Sequence, residues 1–363
     1  MRAENVAASV SRPSASDGPI GVGAVGVWPG LYDGILAALP QGEQYRLVAF
    51  SDEGLPGSAD AEPDQETAQE PDEEAVEEFD EQAEEGSPAS AGEGPAGPCY
   101  PDYNVMLQDP AVEMVLVDGL VELRRDFAVR ALNAGRHVVL APPFCESAAD
   151  AERVAKTAMR SKLVATMDLP WRDDPDLQAL LAALEAESAG RVWGAFLFLG
   201  GRELPEPAES SAPRPGLLEQ VGQAALGQMH LVLSEDVRSI SAHLHRPAPE
   251  APDEGFLLYL PLRKGGWAVC QASRNERAGL PRWVVYAGQT AVTVNGGAAV
   301  AVTADGGQRT YRTSEQRADF WQNLYAAVRE GAELKCHPAD IVRAMKHHEA
   351  AMSSAELGEP VTI

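Results

Sequence analysis

The sequence predicts an α/β domain followed by an α+β domain: a parallel sheet comes first, and an open, mainly antiparallel sheet with helices on one face follows it. Three observations carry this reading. First, Met114-Val115-Leu116-Val117 and Val138-Val139-Leu140 are buried-strand runs. Between them Leu123 to Ala134 places Phe127, Ala128, Ala131 and Leu132 at helical spacing, with Arg124, Arg125 and Arg130 on the other side and Gly135 as a stop. Strand, helix, glycine, strand is a βαβ unit, and such units feed parallel sheets whose ligands bind at the carboxyl ends of the strands. Second, Pro19 to Gly26 and Tyr45 to Phe50 frame another helical stretch, Pro29 to Leu39. Third, the texture changes from Arg191. VWGAFLFLG, VRSISAHLHR, FLLYLPL, WAVCQASR, WVVYAGQTAVTVNGG and AAVAVTAD are strands joined by short turns, which describes an antiparallel sheet with one polar face.

Composition narrows the function classes. The chain has 363 residues, 45% of them hydrophobic and 23% charged, as expected for large buried cores. Its net charge of −26 is unevenly placed, because Gly54 to Pro98 carries fifteen acids and no Lys or Arg. Without that block the charge is −11. An acidic chain lacking a basic stripe is a poor partner for nucleic acid or an anionic membrane. The segment 54–98 is low in large apolar residues and reads as a disordered acidic insert, with Val76 and Phe79 the small apolar face of a transient helix. Residues 1–18 read as a disordered tail rather than a signal peptide, and no apolar run reaches membrane-spanning length. Cys99, Cys145, Cys270 and Cys336 are scattered without a C-x-x-C pair, which fits a reducing cytoplasm and argues against a metal site.

The first strand and turn hold the literal pattern G-x-G-x-x-G as Gly21-Val22-Gly23-Ala24-Val25-Gly26, with an acid at Asp52 after the second strand. In a dinucleotide fold such glycines permit the tight turn and the close approach of backbone to a diphosphate, and the acid takes the ribose hydroxyls. Two registers are open. If Gly21 begins the turn, the strand before it is the poor Ser-Asp-Gly-Pro-Ile. If the strand is Ile20 to Gly23, the preferred register, the turn is Ala24 to Pro29 and only the middle glycine of the motif survives. The expected organisation is therefore a Rossmann-like domain over 19–168, interrupted by the acidic insert, and a mixed α+β domain over 169–363. Further helices are expected over Ala148–Arg160, from Asp174-Pro175 to about Ser188, and over Gly216–Leu233, Glu315–Arg329 and Pro338–Ala355. Strands are expected over Leu163–Met167 and at the end, Pro360–Ile363.

The stretches YRLVAFSD, DPAVEMVLVDG, FAVRALNAGRHVVLAPP, VVYAGQTAVTV and SSAELGEPVTI together resemble the Gfo/Idh/MocA family of NAD(P)-dependent oxidoreductases. That family acts mostly on sugars, inositols and related polyols. The resemblance implies NAD(P) as cofactor, with Gly23, Ala24, Gly26, Asp52, Gly119 and Ala141 as contacts. Asp52 favours NAD, because an acid repels the 2′-phosphate of NADP. It also implies a sugar- or polyol-like ligand and self-association through the exposed sheet face of the second domain.

The same comparison shows what is missing. Relatives end the HVVL strand with Glu-Lys-Pro, whose lysine assists proton movement at the substrate hydroxyl; here the residues are Ala141-Pro142-Pro143. Proline has no proton to give or take. A family helix with a pattern close to Asp-x-Gly-x-His-x-x-Asp has its counterpart in Gln220 to Gly227, where the acids and histidine become Gln220, Gly227 and Ala224. The Thr-Pro loop with a histidine five residues after the threonine reads Gly119-Leu120 and Arg124. Substitute acid–base groups are Asp168, Arg172 and His230, with Asp168, Trp171 and Arg172 at a strand end where a ligand binds or domains pack. Cys145 reads as a small buried hydrophobe, and His347-His348 as a poor metal pair, adjacent and so on different sides of a helix.

Three functions follow. One is a catalytically degenerate relative that keeps nucleotide or polyol binding for sensing or regulation. The second is an oxidoreductase with a relocated acid–base group. The third is an interaction protein that binds no nucleotide.

Overall fold

The structure is a computed structural model that describes residues 18–26, 38–51, 53, 98–200, 204, 215–233, 236–275, 279–312 and 320–363. The expected tail, the acidic insert and the helix from Pro29 lie outside the described residues but for their last positions, and so do Asp52 and the first residues of the helix expected from Glu315. The chain divides into two compact units, residues 1–141 with 161–163 and residues 142–160 with 164–363.

The first sheet is built from β1 (Ile20–Val25), β2 (Tyr45–Ser51), β3 (Cys99–Tyr100), β4 (Met114–Val117), β5 (His137–Leu140) and β6 (Ala165–Met167). Helix α1 (Tyr103–Gln108) follows β3, α2 (Val121–Asn133) joins β4 to β5, and α3 (Ala148–Ser161) precedes β6. The strand order is β3-β2-β1-β4-β5-β6, and β1 runs parallel to both β2 and β4. Every residue of β1 is buried, and the backbone approach is close: a Cβ on Gly21 would lie 1.8 Å from the Ala111 carbonyl oxygen. The turn expected from Ala24 begins at Gly26 instead. Gly23 and Ala24 lie inside β1, because the neighbouring strands continue the ladder that far, pairing Ala24 with Phe50 on one side and Leu116 on the other. The sequence reading did not assign α1, whose start is fixed by Asp102, accepting from the Asn104 N–H at 2.7 Å.

The second sheet has nine strands: β7 (Val192–Gly200), β8 (Ser239–His245), β9 (Gly255–Pro261), β10 (Trp267–Ser273), β11 (Trp283–Ala287), β12 (Thr290–Asn295), β13 (Ala298–Val302), β14 (Gln308–Arg312) and β15 (Val361–Thr362). Their order is β14-β13-β12-β11-β7-β10-β9-β8-β15, antiparallel except for the parallel pair β7–β10. A short 3-10 turn (Pro170–Asp173) leads into α4 (Pro175–Ala186); α5 (Leu217–Val232), α6 (Phe320–Arg329) and α7 (Pro338–Leu357) complete the unit. Helices α4, α5 and α7 pack against the strands, so alternate residues such as Ala195, Leu197 and Leu199 are buried.

The intervening side chains form an aromatic surface. The Trp193 and Tyr286 rings stack with centres 5.2 Å apart, and Phe196 meets Trp267 edge-on at 4.8 Å. Both Trp193 and Tyr259 are about 42% exposed, which leaves much of this surface open among the described residues.

Ser354 locks the end of α7 to the sheet. Its buried hydroxyl accepts from the Ala242 N–H of β8 at 3.0 Å and donates to the Glu359 carbonyl at 2.8 Å. Ser354→Ala strands a buried N–H and a carbonyl, and is expected to cost about 1–3 kcal/mol, read as a lower urea midpoint at unchanged slope.

Candidate functional site

In the first unit, the carboxyl ends of β1 and β4 come together through two glycines. Gly26 and Gly119 have φ of +73° and +80°. A Cβ on Gly26 would lie 2.4 Å from the Asp118 carbonyl oxygen, and one on Gly119 would lie 2.9 Å from the Gly26 carbonyl oxygen. Neither position tolerates a side chain, both because of the left-handed backbone and because two main chains are in contact. The strand order reverses direction between β1 and β4, and it is at such a switch point that open parallel sheets bind nucleotides.

Arg124 organises this edge. Its guanidinium is 7% exposed and donates from Nη1 to the Ala141 carbonyl at 2.6 Å, from Nε and Nη2 to the Gly119 carbonyl at 3.2 and 3.0 Å, and from Nη2 to Asp118 Oδ1 at 3.3 Å. The Gly119 N–H donates to the same carboxylate oxygen at 2.9 Å. The side chain that takes the place of a family histidine thus ties the end of β4 to the end of β5. Sequence reasoning placed Arg124 on the polar side of a helix and at the position of a family histidine, but overlooked Asp118 altogether; a lone acid three residues before a helix carries no periodic signal.

The end of β2 has its own clamp. Glu53 accepts from the Tyr103 N–H at 2.9 Å and from Arg130 Nη1 at 2.5 Å. The Arg130 guanidinium lies 4.8 Å over the Tyr103 ring, whose hydroxyl donates to the Phe127 carbonyl at 3.0 Å. Burial pushes the Tyr103 phenol far above its ordinary range. Among the cofactor residues expected from the resemblance, Gly26, Gly119 and Ala141 meet at this edge; Gly23 and Ala24 lie within β1, and Asp52 is outside the described residues. The two glycines let the ends of β1 and β4 pack main chain against main chain at the switch point where such sheets bind nucleotides.

The second unit holds Pro142, Gln220, Ala224 and Gly227, the positions that the resemblance marks for acid–base groups. Pro142 and Pro143 are exposed, while Phe144 and Cys145 behind them are buried. On α5, Gln220 accepts from Arg274 Nη2 at 3.1 Å and donates to the Pro215 carbonyl at 2.6 Å, and Ala224 is half-buried. Gly227 faces the indole of Trp171: a Cβ there would lie 2.4 Å from Cζ2 and 2.6 Å from Cη2 of that ring. Trp171 therefore occupies the space an acidic side chain at 227 would need. The resemblance pointed to Gly227 and strand-end position to Trp171, but not to their contact.

The substitute residues fall into two places. Asp168 and Arg172 line a cavity of about 290 Å³ together with Lys335, Cys336, Leu231 and Phe320. Arg172 pairs with Asp340 at 3.6 Å, and burial pushes the Cys336 thiol up to about 11, so it is held as the thiol. His230 sits apart, its ring 4.3 Å from that of His347 at 67°, between α5 and α7. His348 Nε2 lies 3.0 Å from the Leu218 carbonyl. Among the described residues no three His, Cys, Asp or Glu side chains are grouped to hold a metal ion, and no helix is long and apolar enough to cross a membrane.

A family model for an oxidoreductase family with an NAD-binding Rossmann fold matches residues 20–169, the stretch that contains the two glycines and Arg124. Over that stretch, about two-fifths of its length, the chain matches the Gfo/Idh/MocA family. In sequence it is 25% identical over 148 residues to inositol 2-dehydrogenase of Salmonella paratyphi B, an alignment that takes in 40% of this chain and 43% of that enzyme. The match thus spans less than half of the curated relative's length. In structure it is similar to an NAD-binding protein from Listeria innocua, with a TM-score of 0.67 and 17% identity over 94% of this chain and 96% of that one. It is equally similar to an oxidoreductase from Agrobacterium radiobacter solved with NAD+, L-tartaric acid and magnesium: TM-score 0.67, 16% identity, 94% and 98% coverage. These structures establish the fold, a parallel Rossmann sheet and then a mainly antiparallel sheet with helices, in agreement with the architecture expected from the sequence.

The histidine pair makes stability depend on pH. Burial, reinforced by the neighbouring His347 and Arg343, holds the His230 imidazole down at about 3. Burial and Arg343 hold His347 at about 4, against a small opposing pull from Asp236. An unfolded histidine titrates near 6.5, so below that pH the unfolded chain takes up protons that the folded chain refuses. Stability is expected to be flat above about pH 7 and to fall as pH drops from about 6.5 towards 4. In urea unfolding across this range, His347→Phe is expected to flatten the part of the slope between pH 6.5 and 5, above the carboxylate range.

Proposed function

We propose that the protein is a nucleotide-binding Gfo/Idh/MocA member that has lost its oxidoreductase chemistry and uses the bound nucleotide, with a sugar- or polyol-like ligand, for sensing or regulation. The observation that carries this reading is the Trp171 indole against Gly227. It joins Pro142 and Ala224 as the third place where a relative has an acid–base group and this chain has none, and here the space itself is taken. Bound NAD would supply hydride-transfer chemistry; the chain's own residues hold the nucleotide and leave the proton of a substrate hydroxyl without an acceptor at these positions. NAD is favoured over NADP through Asp52. The four cysteines, scattered in sequence without a C-x-x-C pair, fit a reducing cytoplasm.

A second reading keeps catalysis with a moved acid–base group. His230 is poorly suited to it, since its ring is buried against His347 and stays neutral. That reading therefore rests on Asp168 and Arg172 in the cavity of the second unit. The open aromatic surface of the nine-stranded sheet supports self-association, because a self-complementary apolar face closes with a second copy around a two-fold axis.

The deciding measurement is a fluorescence titration with NADH and NADPH, followed by NAD+ reduction assays with inositols, sugars and hydroxy acids. Saturation with NADH in the micromolar range without turnover is expected; turnover at ordinary enzyme rates would overturn the proposal. Trp193→Lys, on the open sheet face, is expected to lower the solution mass measured by light scattering while leaving nucleotide binding intact.

A further inference from the structure

We infer that Asp118 is a nucleotide-contacting residue, its carboxylate accepting hydrogen bonds from the hydroxyls of the nucleoside on the β4 side of the switch point, with Arg124 as the residue that positions it. The inference rests on the nucleotide reading proposed above and assigns a role that neither the glycine motif nor Asp52 fills.

The geometry begins with the strand order. At the β1/β4 switch point the diphosphate of a dinucleotide belongs to the β1 turn, and its two nucleosides extend to either side, one towards β2 and the other towards β4 and β5. Asp118 is the first residue beyond β4, and its N–H donates to the Val25 carbonyl at the end of β1, 3.0 Å away. Its backbone therefore lies at the switch point itself.

The side chain is pinned on one oxygen and open on the other. Oδ1 accepts from the Gly119 N–H and from Arg124 Nη2, while Oδ2 accepts no hydrogen bond from a described residue. The Asp118 side chain is 26% exposed and that of Arg124 only 7%. A reachable acceptor is thus held still by a buried donor, which is how a ligand-binding group is made rigid. Turn formation alone does not require this, since Asn would accept from the Gly119 N–H just as well.

The charge decides what is bound. A carboxylate repels phosphate and accepts from hydroxyl and amide donors, so the ligand group on Asp118 is a ribose diol rather than the diphosphate. The adjacent guanidinium offsets the carboxylate's charge, which keeps an acid tolerable close to a bound diphosphate.

Calorimetric titration of the full chain with NADH, ADP-ribose and ADP tests this. NADH and ADP-ribose carry the second ribose, and ADP does not. Asp118→Asn retains an acceptor for the Gly119 N–H, and thermal unfolding reports whether the fold is kept. The variant is expected to weaken NADH and ADP-ribose about tenfold or more while leaving ADP unchanged. Equal weakening of all three, unchanged affinity for all three, or tighter binding of any would overturn the assignment. If the wild-type protein binds none of the three, the nucleotide reading fails first and this inference falls with it. If the wild type binds them and the variant does not discriminate, the inference alone fails.

Discussion

The buried guanidinium of Arg124 joins the ends of β4 and β5, and the geometry of the first unit's carboxyl edge depends on it. A charge taken out of water is tolerated only where hydrogen bonds replace those it made to solvent. Here two carbonyls and a carboxylate do so, drawn from the ends of β4 and β5. In return the guanidinium fixes the loop that starts at Gly119, and through it the backbone contact with Gly26. Histidine, with two ring nitrogens, could not make the same set of donations, so the exchange of residue type at this position changes what the edge is made of rather than trimming it.

A similar coherence runs through the second unit. Pro142, Ala224 and Gly227 carry no titratable group, and at Gly227 the packing itself leaves no room for one. The indole of Trp171 lies where a longer side chain would have to stand, so the helix α5 and the turn before α4 have settled into a packing that suits an absent acid. His230 has likewise been absorbed into the contact between α5 and α7, where burial keeps it uncharged.

Much of this was legible in the sequence, for reasons that separate sharply by physics. Strands β2, β4 and β5 and helices α2, α3, α5 and α7 follow from apolar periodicity together with Gly and Pro punctuation. The end of β1 did not, because a strand ends where its neighbours stop offering partners, and that is a property of the sheet. Strand β14, Gln308–Arg312, is polar and largely exposed and shows no alternation. The parallel pairing of β7 with β10 links segments distant in the chain. At the site, Pro142, Ala224 and Gly227 were singled out by resemblance alone, whereas the reach of Arg124 to Ala141 and the contact of Trp171 with Gly227 are long-range facts that spacing does not encode.

The contact between Trp171 and Gly227 also bears on how the protein can change. An acid at 227 alone would drive a carboxylate into a packed aromatic ring, at a cost in stability. A smaller residue at 171 alone would leave a void beside a glycine. Each single step is a loss, and only the two together could be neutral. The packing works as a ratchet: with the indole in place, neither position can change to advantage alone.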